Sequence, residues 1–277
     1  TYGYEIFPGL PAIFFDFDGA DKFRFDYYKL LHEQFIRNWV KLVYEWCEAH
    51  GVRLTGHAVE ETSLGGQMMC IGGVMPFYEY EHIPGMDYLG RAISDDIAPK
   101  QLGSVCAQLG KKKALSEMFA CCGWDVSPTE LKRIADVQYV SGVNLMCQHL
   151  YPLHYSEHNP WQASFAAFDR HYAHLGAALA EGTEYAPILV IHPIHGAYMK
   201  YKKGTDSLAE IEGHFFGLSR LLGQNQIPYH YGDENLMKKY ARVEGGRLIV
   251  GECAYDAVVI PFTYSLDSST VSLLREY

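Results

Sequence analysis

The chain has 277 residues, with 23 Lys and Arg against 33 Asp and Glu, a formal net charge of -10, 48% hydrophobic residues and 14% aromatic residues. That composition excludes a disordered chain, a coiled coil and a disulfide-knotted miniprotein, and the length allows one large or two smaller domains, each with a sizeable core. Phosphate backbones are bound by neutralising their charge, and the only basic runs are Lys111-Lys112-Lys113 and Lys202-Lys203, so nucleic acid is set aside; no apolar run reaches the roughly 20 residues that cross a bilayer, so no membrane partner is expected either.

In chain order, the spacing of Tyr27, Leu30, Leu31, Phe35, Trp39, Leu42, Val43 and Trp46 predicts one helix over 22–50, stopped by a left-handed Gly51. Val52 to His57 reads as a short strand, followed by Glu60-Glu61 and a Gly- and Met-rich stretch to Gly73. Ser94 can cap a helix running to about Leu109, Gly110 ends it, and Ala114 to Phe119 forms the next buried strand. Ser127-Pro128-Thr129-Glu130 has the form of a capping box with Pro in the first turn, opening a helix that ends near Gly142. Val143 to Cys147 is strand-like again and runs into His149, Tyr151, His154 and Tyr155; Asn159-Pro160 then starts a helix to about Ala180. Three strands each leave His, Glu or Tyr at their C-terminal ends, which is where parallel βα units gather functional side chains.

Between Gly182 and Pro187 periodicity and composition change, so the chain divides into 1–185 and 186–277. The second series carries strands at 188–192, 227–230 and 257–261, a helix over about 207–222, a hairpin within 242–250 turning at Gly245-Gly246, and a last helix capped by Ser268. It reads as a flavodoxin-like or Rossmann-like α/β unit. No Gly-x-Gly-x-x-Gly follows its first strand, so dinucleotide binding has no support.

Glu117 stands inside an apolar strand, where a charge is costly without a role or a partner. His57, Glu60 and Glu61 end the neighbouring strand, and His149, Tyr151 and His154 extend the same rim. Two chemistries suit it. Paired carboxylates with aromatic rings for stacking on sugars make a glycoside hydrolase; alternatively His57, Glu117 and His149 hold a zinc ion that activates water. Neither His-x-His nor His-Glu-x-x-His occurs at a strand end, which weighs toward the glycosidase, as do 21 Tyr, 14 Phe and 4 Trp. A non-catalytic carbohydrate-binding protein is the third reading. The seven cysteines are odd in number and form no Cys-x-x-Cys pair, and read as buried free thiols.

Taken together, Phe25-Asp26-Tyr27-Tyr28, Leu54-Thr55-Gly56-His57 with Glu60-Glu61, Met75 to Tyr80 leading to Ile83-Pro84-Gly85-Met86-Asp87, Ser116 to Phe119 with Gly123-Trp124, Gln138-Tyr139, Gly142-Val143-Asn144 and His149 resemble the catalytic barrel of the family 106 α-L-rhamnosidase-like glycoside hydrolases. The resemblance covers most of residues 20 to 175. Residues 186 to 277 resemble the glutamine-amidotransferase-like α/β domain that follows the barrel in such proteins and in some family 42-type β-galactosidases. The resemblance implies a TIM-type barrel with two catalytic carboxylates, Glu117 matching the later one, the general base of an inverting mechanism. It implies substrate contacts from His57, Glu60, Glu61, His149, Tyr151 and His154, an oligosaccharide or glycoside substrate, and calcium as a possible site ion. The amidotransferase-like domain would lack its own catalytic Cys, Cys253 being the only one there. Only about three barrel strands precede residue 150 and the general acid is expected on an earlier one, so the chain is expected to be the C-terminal part of a barrel with its following domain, cut from a longer soluble enzyme.

Overall fold

The computed structural model describes residues 2–93, 97–123, 125–149 and 161–277. The expected cap Ser94, the rim residues Tyr151, His154 and Tyr155, and the helix start Asn159-Pro160 lie outside the described residues. The long amphipathic stretch forms α1 (Ala20–Phe35), a π-helical turn (Ile36–Val40) and α2 (Lys41–Ala49), ended by Gly51 at φ 67°. Two short helices follow, α3 (Leu64–Cys70), capped by Ser63, and α4 (Met75–Glu79).

The first sheet is three-stranded and parallel, in the order β1 (Gly85–Tyr88), β2 (Leu115–Met118), β3 (Leu145–Gln148). The strand expected over 52–57 is reduced to a single parallel bridge, Thr55 to Ile83. β1 was not anticipated as a strand, although the expected strands at 114–119 and 143–147 are present. Between them run α5 (Ala98–Gln108), with Pro99 in its first turn, and α6 (Pro128–Tyr139), where Ser127 and Glu130 satisfy each other's backbone N–H groups in the expected capping box. α7 (Gln162–Glu181) closes the first series.

In the second series β4 (Ile188–Ile191) is central, with β5 (Tyr229–Gly232) and β9 (Ala257–Val259) parallel on either side. α8 (Ile194–Lys200), α9 (Ala209–Gln224) and α10 (Glu234–Tyr240) connect or flank these strands. An antiparallel meander of β6 (Ala241–Glu244), β7 (Arg247–Val250) and β8 (Cys253–Tyr255) contains the expected hairpin, and α11 (Ser268–Glu276) ends the chain. Its N-cap is Asp267 rather than Ser268.

One apolar cluster joins the two series, taking in Met86, Leu102, Val105, Met118 and Ile134 from the first and Val190, Phe215 and Tyr231 from the second. α5 is buried along most of its length because it packs against both β1 and β5. Its polar side chains serve the second sheet: the Tyr231 N–H donates to Ser104 Oγ (2.9 Å), and Gln108 Nε2 donates to the Tyr231 carbonyl (2.8 Å). Backbone groups at a buried strand edge must find partners, and α5 provides them. All seven cysteines are free: Cys47, Cys106, Cys122 and Cys253 are buried, whereas Cys70, Cys121 and Cys147 are exposed, against the expectation of uniform burial. Among the described residues no helix is long and apolar enough to cross a membrane.

Candidate active site

Parallel pairing puts Asp87, Glu117 and Cys147 side by side in one row across β1, β2 and β3. Alternation along the strands sends Met86 and Met118, both fully buried, to the opposite face. The row therefore faces away from the helices, on the side that would line the lumen if the sheet closed into a barrel.

His57 arrives from the segment beside β1, and its Nε2 stands 2.9 Å from Glu117 Oε2. Its Nδ1 is 2.6 Å from the Ala58 carbonyl oxygen. Both ring nitrogens thus face acceptors, an arrangement that only the doubly protonated ring satisfies. Burial works against that charge, but the Ala58 carbonyl and the carboxylates of Asp87, Glu117 and Glu61 outweigh it and hold the His57 pKa above its ordinary value. Asp87 is pushed up as well, by burial first and then by the negative charges of Glu117 and Glu60, with His57 opposing. His57, Asp87 and Glu117 each present an atom within 4.8 Å of the others'. His149, at the end of β3, sets Nε2 3.7 Å from Glu117 Oε1 and is half exposed, a separation too long for a hydrogen bond.

Glu60 and Glu61 play different parts. Glu60 is exposed, with φ 60°. Glu61 is 1% exposed and accepts from the Ala58 N–H (2.7 Å), the Asp87 N–H (3.1 Å) and the Tyr78 hydroxyl (3.2 Å). It fastens the His57 segment to β1 from behind the rim, and burial lifts its pKa to about 7 against the pull of those hydrogen bonds. Phe119 (φ 77°) and Cys121 (φ 60°) turn the chain sharply after β2; with Glu60 they are three of the four non-glycine residues at positive φ among the described residues. Such strain is held only where the surroundings enforce it, commonly at functional sites.

Asp87 is a site residue that the sequence does not mark as a candidate. Its signal was present in the Ile83-to-Asp87 stretch, but only the β1–β2 register shows that it stands beside Glu117.

No protein-family model and no curated sequence matches the chain. Solved structures do. A rhamnosidase from Novosphingobium sp. PP1Y superposes on 99% of this chain with a TM-score of 0.70 at 16% identity. The chain shares its fold with a segment of that enzyme. Gan42B, a GH42 β-galactosidase, matches 92% of the chain with a TM-score of 0.55 at 11% identity. The chain spans 27% of the rhamnosidase's length and 40% of the β-galactosidase's.

Calcium takes six to eight oxygen ligands. The cluster offers two carboxylates and an imidazole nitrogen that already faces Glu117, a mixed set better matched to zinc. The donors brought together here do not fit calcium.

Proposed function

We propose that the chain is the rim-bearing part of a family 106-like glycoside hydrolase that acts on a rhamnoside or related glycoside, with Glu117 as its general base. The observation that carries this reading is the Glu117 carboxylate, held by His57 at the carboxyl end of a parallel sheet with a glycoside hydrolase fold. His57 engages Oε2, so Oε1 is the oxygen that takes the proton of the attacking water. The charged imidazole fixes the carboxylate's orientation, and His57, Glu60 and His149 contact the sugar, as do Tyr151 and His154, which lie outside the described residues.

Inverting enzymes separate their two carboxyl groups by roughly 6.5–9.5 Å to admit the water. Asp87 presents an oxygen within 4.8 Å of one on Glu117, too close for that role; it keeps His57 charged instead. The general acid then belongs to another strand of a complete barrel, which takes eight strands, whereas among the described residues the first sheet has three. On this reading residues 1–185 are the C-terminal part of that barrel and 186–277 its amidotransferase-like neighbour, and activity belongs to the longer polypeptide.

The test is hydrolysis of aryl α-L-rhamnosides and β-galactosides by this chain and by a polypeptide extended upstream by about 200 residues, the order of a missing half barrel with its lead-in. Glu117→Gln should lower kcat by about 10²–10⁴ with KM little changed, and proton NMR should find the product of inverted anomeric configuration. Full turnover by Glu117→Gln would remove the proposal. The mixed donor set of His57, Asp87 and Glu117 favours a second reading, a zinc hydrolase; stoichiometric zinc and loss of turnover on chelation would establish it in place of the first.

A further inference from the structure

The carboxyl edge of the second sheet holds a cluster built like the rim of the first. His195 lies in the first turn of α8 after β4, Glu234 opens α10 after β5, and Asp267 precedes α11 after β9. Each of the three parallel strands thus delivers one residue to the carboxyl edge of the sheet, which is where open α/β sheets place their ligands. His195 and Glu234 are essentially buried, and the Asp267 side chain is 12% exposed.

We propose that His195, Glu234 and Asp267 form a buried zinc site. His195 Nδ1 lies 3.3 Å from Glu234 Oε1 and 3.0 Å from Asp267 Oδ1. Zinc bonds of about 2.0–2.2 Å at tetrahedral angles put ligand atoms roughly 3.3–3.6 Å apart, so the cluster is within a few tenths of an ångström of the required spacing. Despite this proximity Nδ1 makes no hydrogen bond of acceptable geometry to either oxygen. A buried ring nitrogen without a hydrogen bond, beside two carboxylate oxygens, is what a ligating histidine presents.

The outward atoms of all three ligands are already engaged. Glu234 Oε2 accepts from the Asp267 N–H (2.6 Å), Asp267 Oδ2 accepts from Lys29 Nζ (2.7 Å), and His195 Nε2 is 3.1 Å from the Asn235 side-chain amide. With that amide turned so that its oxygen accepts the Nε2–H, the imidazole has the second partner that orients metal-bound histidines. These contacts leave Nδ1, Oε1 and Oδ1 facing one another. Phe25 meets the ring edge-on at 6.1 Å, and Tyr198 stacks on it at 5.1 Å, shielding it from water.

Charge points the same way. Glu234 and Asp267 bring two carboxylates to the imidazole, and Lys29 places its ammonium on the outer oxygen of Asp267. One imidazole with two carboxylates suits zinc rather than calcium or magnesium. The fourth position falls to a solvent molecule on the side of Asp267, the ligand with solvent exposure.

The rim of the first sheet could also take zinc, so the experiment uses the His57→Gln/Glu117→Gln double variant, titrated with cobalt(II) chloride and then with zinc chloride. The expected result is one equivalent of cobalt(II) with intense visible absorption of low coordination number, displaced by zinc. Binding should weaken at least 100-fold on adding Glu234→Gln or Asp267→Asn. No stoichiometric binding, or binding that survives both substitutions, overturns the proposal and leaves a protonated His195 as the cation. Because these substitutions also remove contacts that hold the fold, the thermal midpoint of the His57→Gln/Glu117→Gln protein is measured with zinc and with EDTA; equal midpoints would also overturn it. Neither readout depends on glycosidase activity.

Discussion

His57 faces the Glu117 carboxylate with one ring nitrogen and the Ala58 carbonyl with the other, so its protonation state can be measured directly. Its folded pKa is raised, and the stability it contributes is present in full below the unfolded value near 6.5 and is lost as pH rises through the folded value. The expected result is an imidazole Cε1 proton titrating above pH 6.5, moving down in Glu117→Gln and in Asp87→Asn; a midpoint at or below 6.5 in the native protein would refute the ion pair. Glu81 behaves in the opposite sense. Burial raises its pKa to about 9, with the Gly85 N–H and Lys111 opposing, so the native state keeps a proton that the unfolded chain releases near 4.5. Stability is then complete below that value and declines as pH rises toward 9. Glu81→Gln should shrink the loss between pH 5 and pH 8 by about 1 kcal/mol or more, read from urea unfolding at the two pH values; an unchanged difference would show that Glu81 is ionised throughout.

Among the elements, β1 depends most on a single residue. A Cβ on Gly85 would lie 2.2 Å from the Gly56 carbonyl oxygen and 3.2 Å from Leu115 Cδ2. Gly85→Ala must therefore push the Thr55 segment off β1, carrying His57 away from Glu117. A cost of about 1–3 kcal/mol is expected, together with a fall of the His57 pKa toward 6.5; a fall in stability with the His57 titration unmoved would uncouple the strand from the rim. The same requirement explains why β1 was not legible as a strand. Gly85-Met86-Asp87-Tyr88 contains two residue types depleted in strands, and Gly85 is there for the closeness of a neighbour that only the fold supplies. Asp87 was hidden as a site residue for the same reason. Where local chemistry sufficed, the reading was accurate: the α1–α2 periodicity with its Gly51 stop, the Ser127–Glu130 capping box and the Gly245-Gly246 hairpin all appear where expected. The start of α11 shifted because Ser268 gave way as N-cap to Asp267, whose own side chain makes no capping bond and accepts from Lys29 beside His195 instead. Glu117 was legible as a charge in an apolar strand, whereas the burial of Glu61 follows from hydrogen bonds to Ala58, Tyr78 and Asp87 that no spacing rule displays.

Across the whole molecule, a buried chain of polar groups connects the rim of the first sheet to the centre of the second. The Glu61 carbonyl accepts from Gln67 Nε2 (3.2 Å) and Gln101 Nε2 (3.1 Å), and Gln101 Oε1 accepts from Gln67 Nε2 (2.9 Å). His192, at the end of β4, places Nε2 2.8 Å from the same Gln101 Oε1. Burial and the nearby His195 lower the His192 pKa to about 3, so the ring is neutral and donates to Gln101 from Nε2. Gln101 is thus the junction between the two series, on the helix that both sheets bury. Gln101→Leu would fill the space yet leave the His192 and Gln67 donors without their acceptor, at about 1–3 kcal/mol for each group stranded in the interior. If the proposed units 1–185 and 186–277 share one core energetically, that loss should appear as an equal fall in hydrogen-exchange protection of the β2 and β4 amides, because both are reached only by global opening. Glu61 would also lose one of the two donors fixing its backbone, so the Glu117–His57 pair should loosen and the His57 titration move down in the same variant. Protection lost in β4 alone, with β2 and His57 untouched, would instead make the second series an independently folding neighbour on which the rim does not depend.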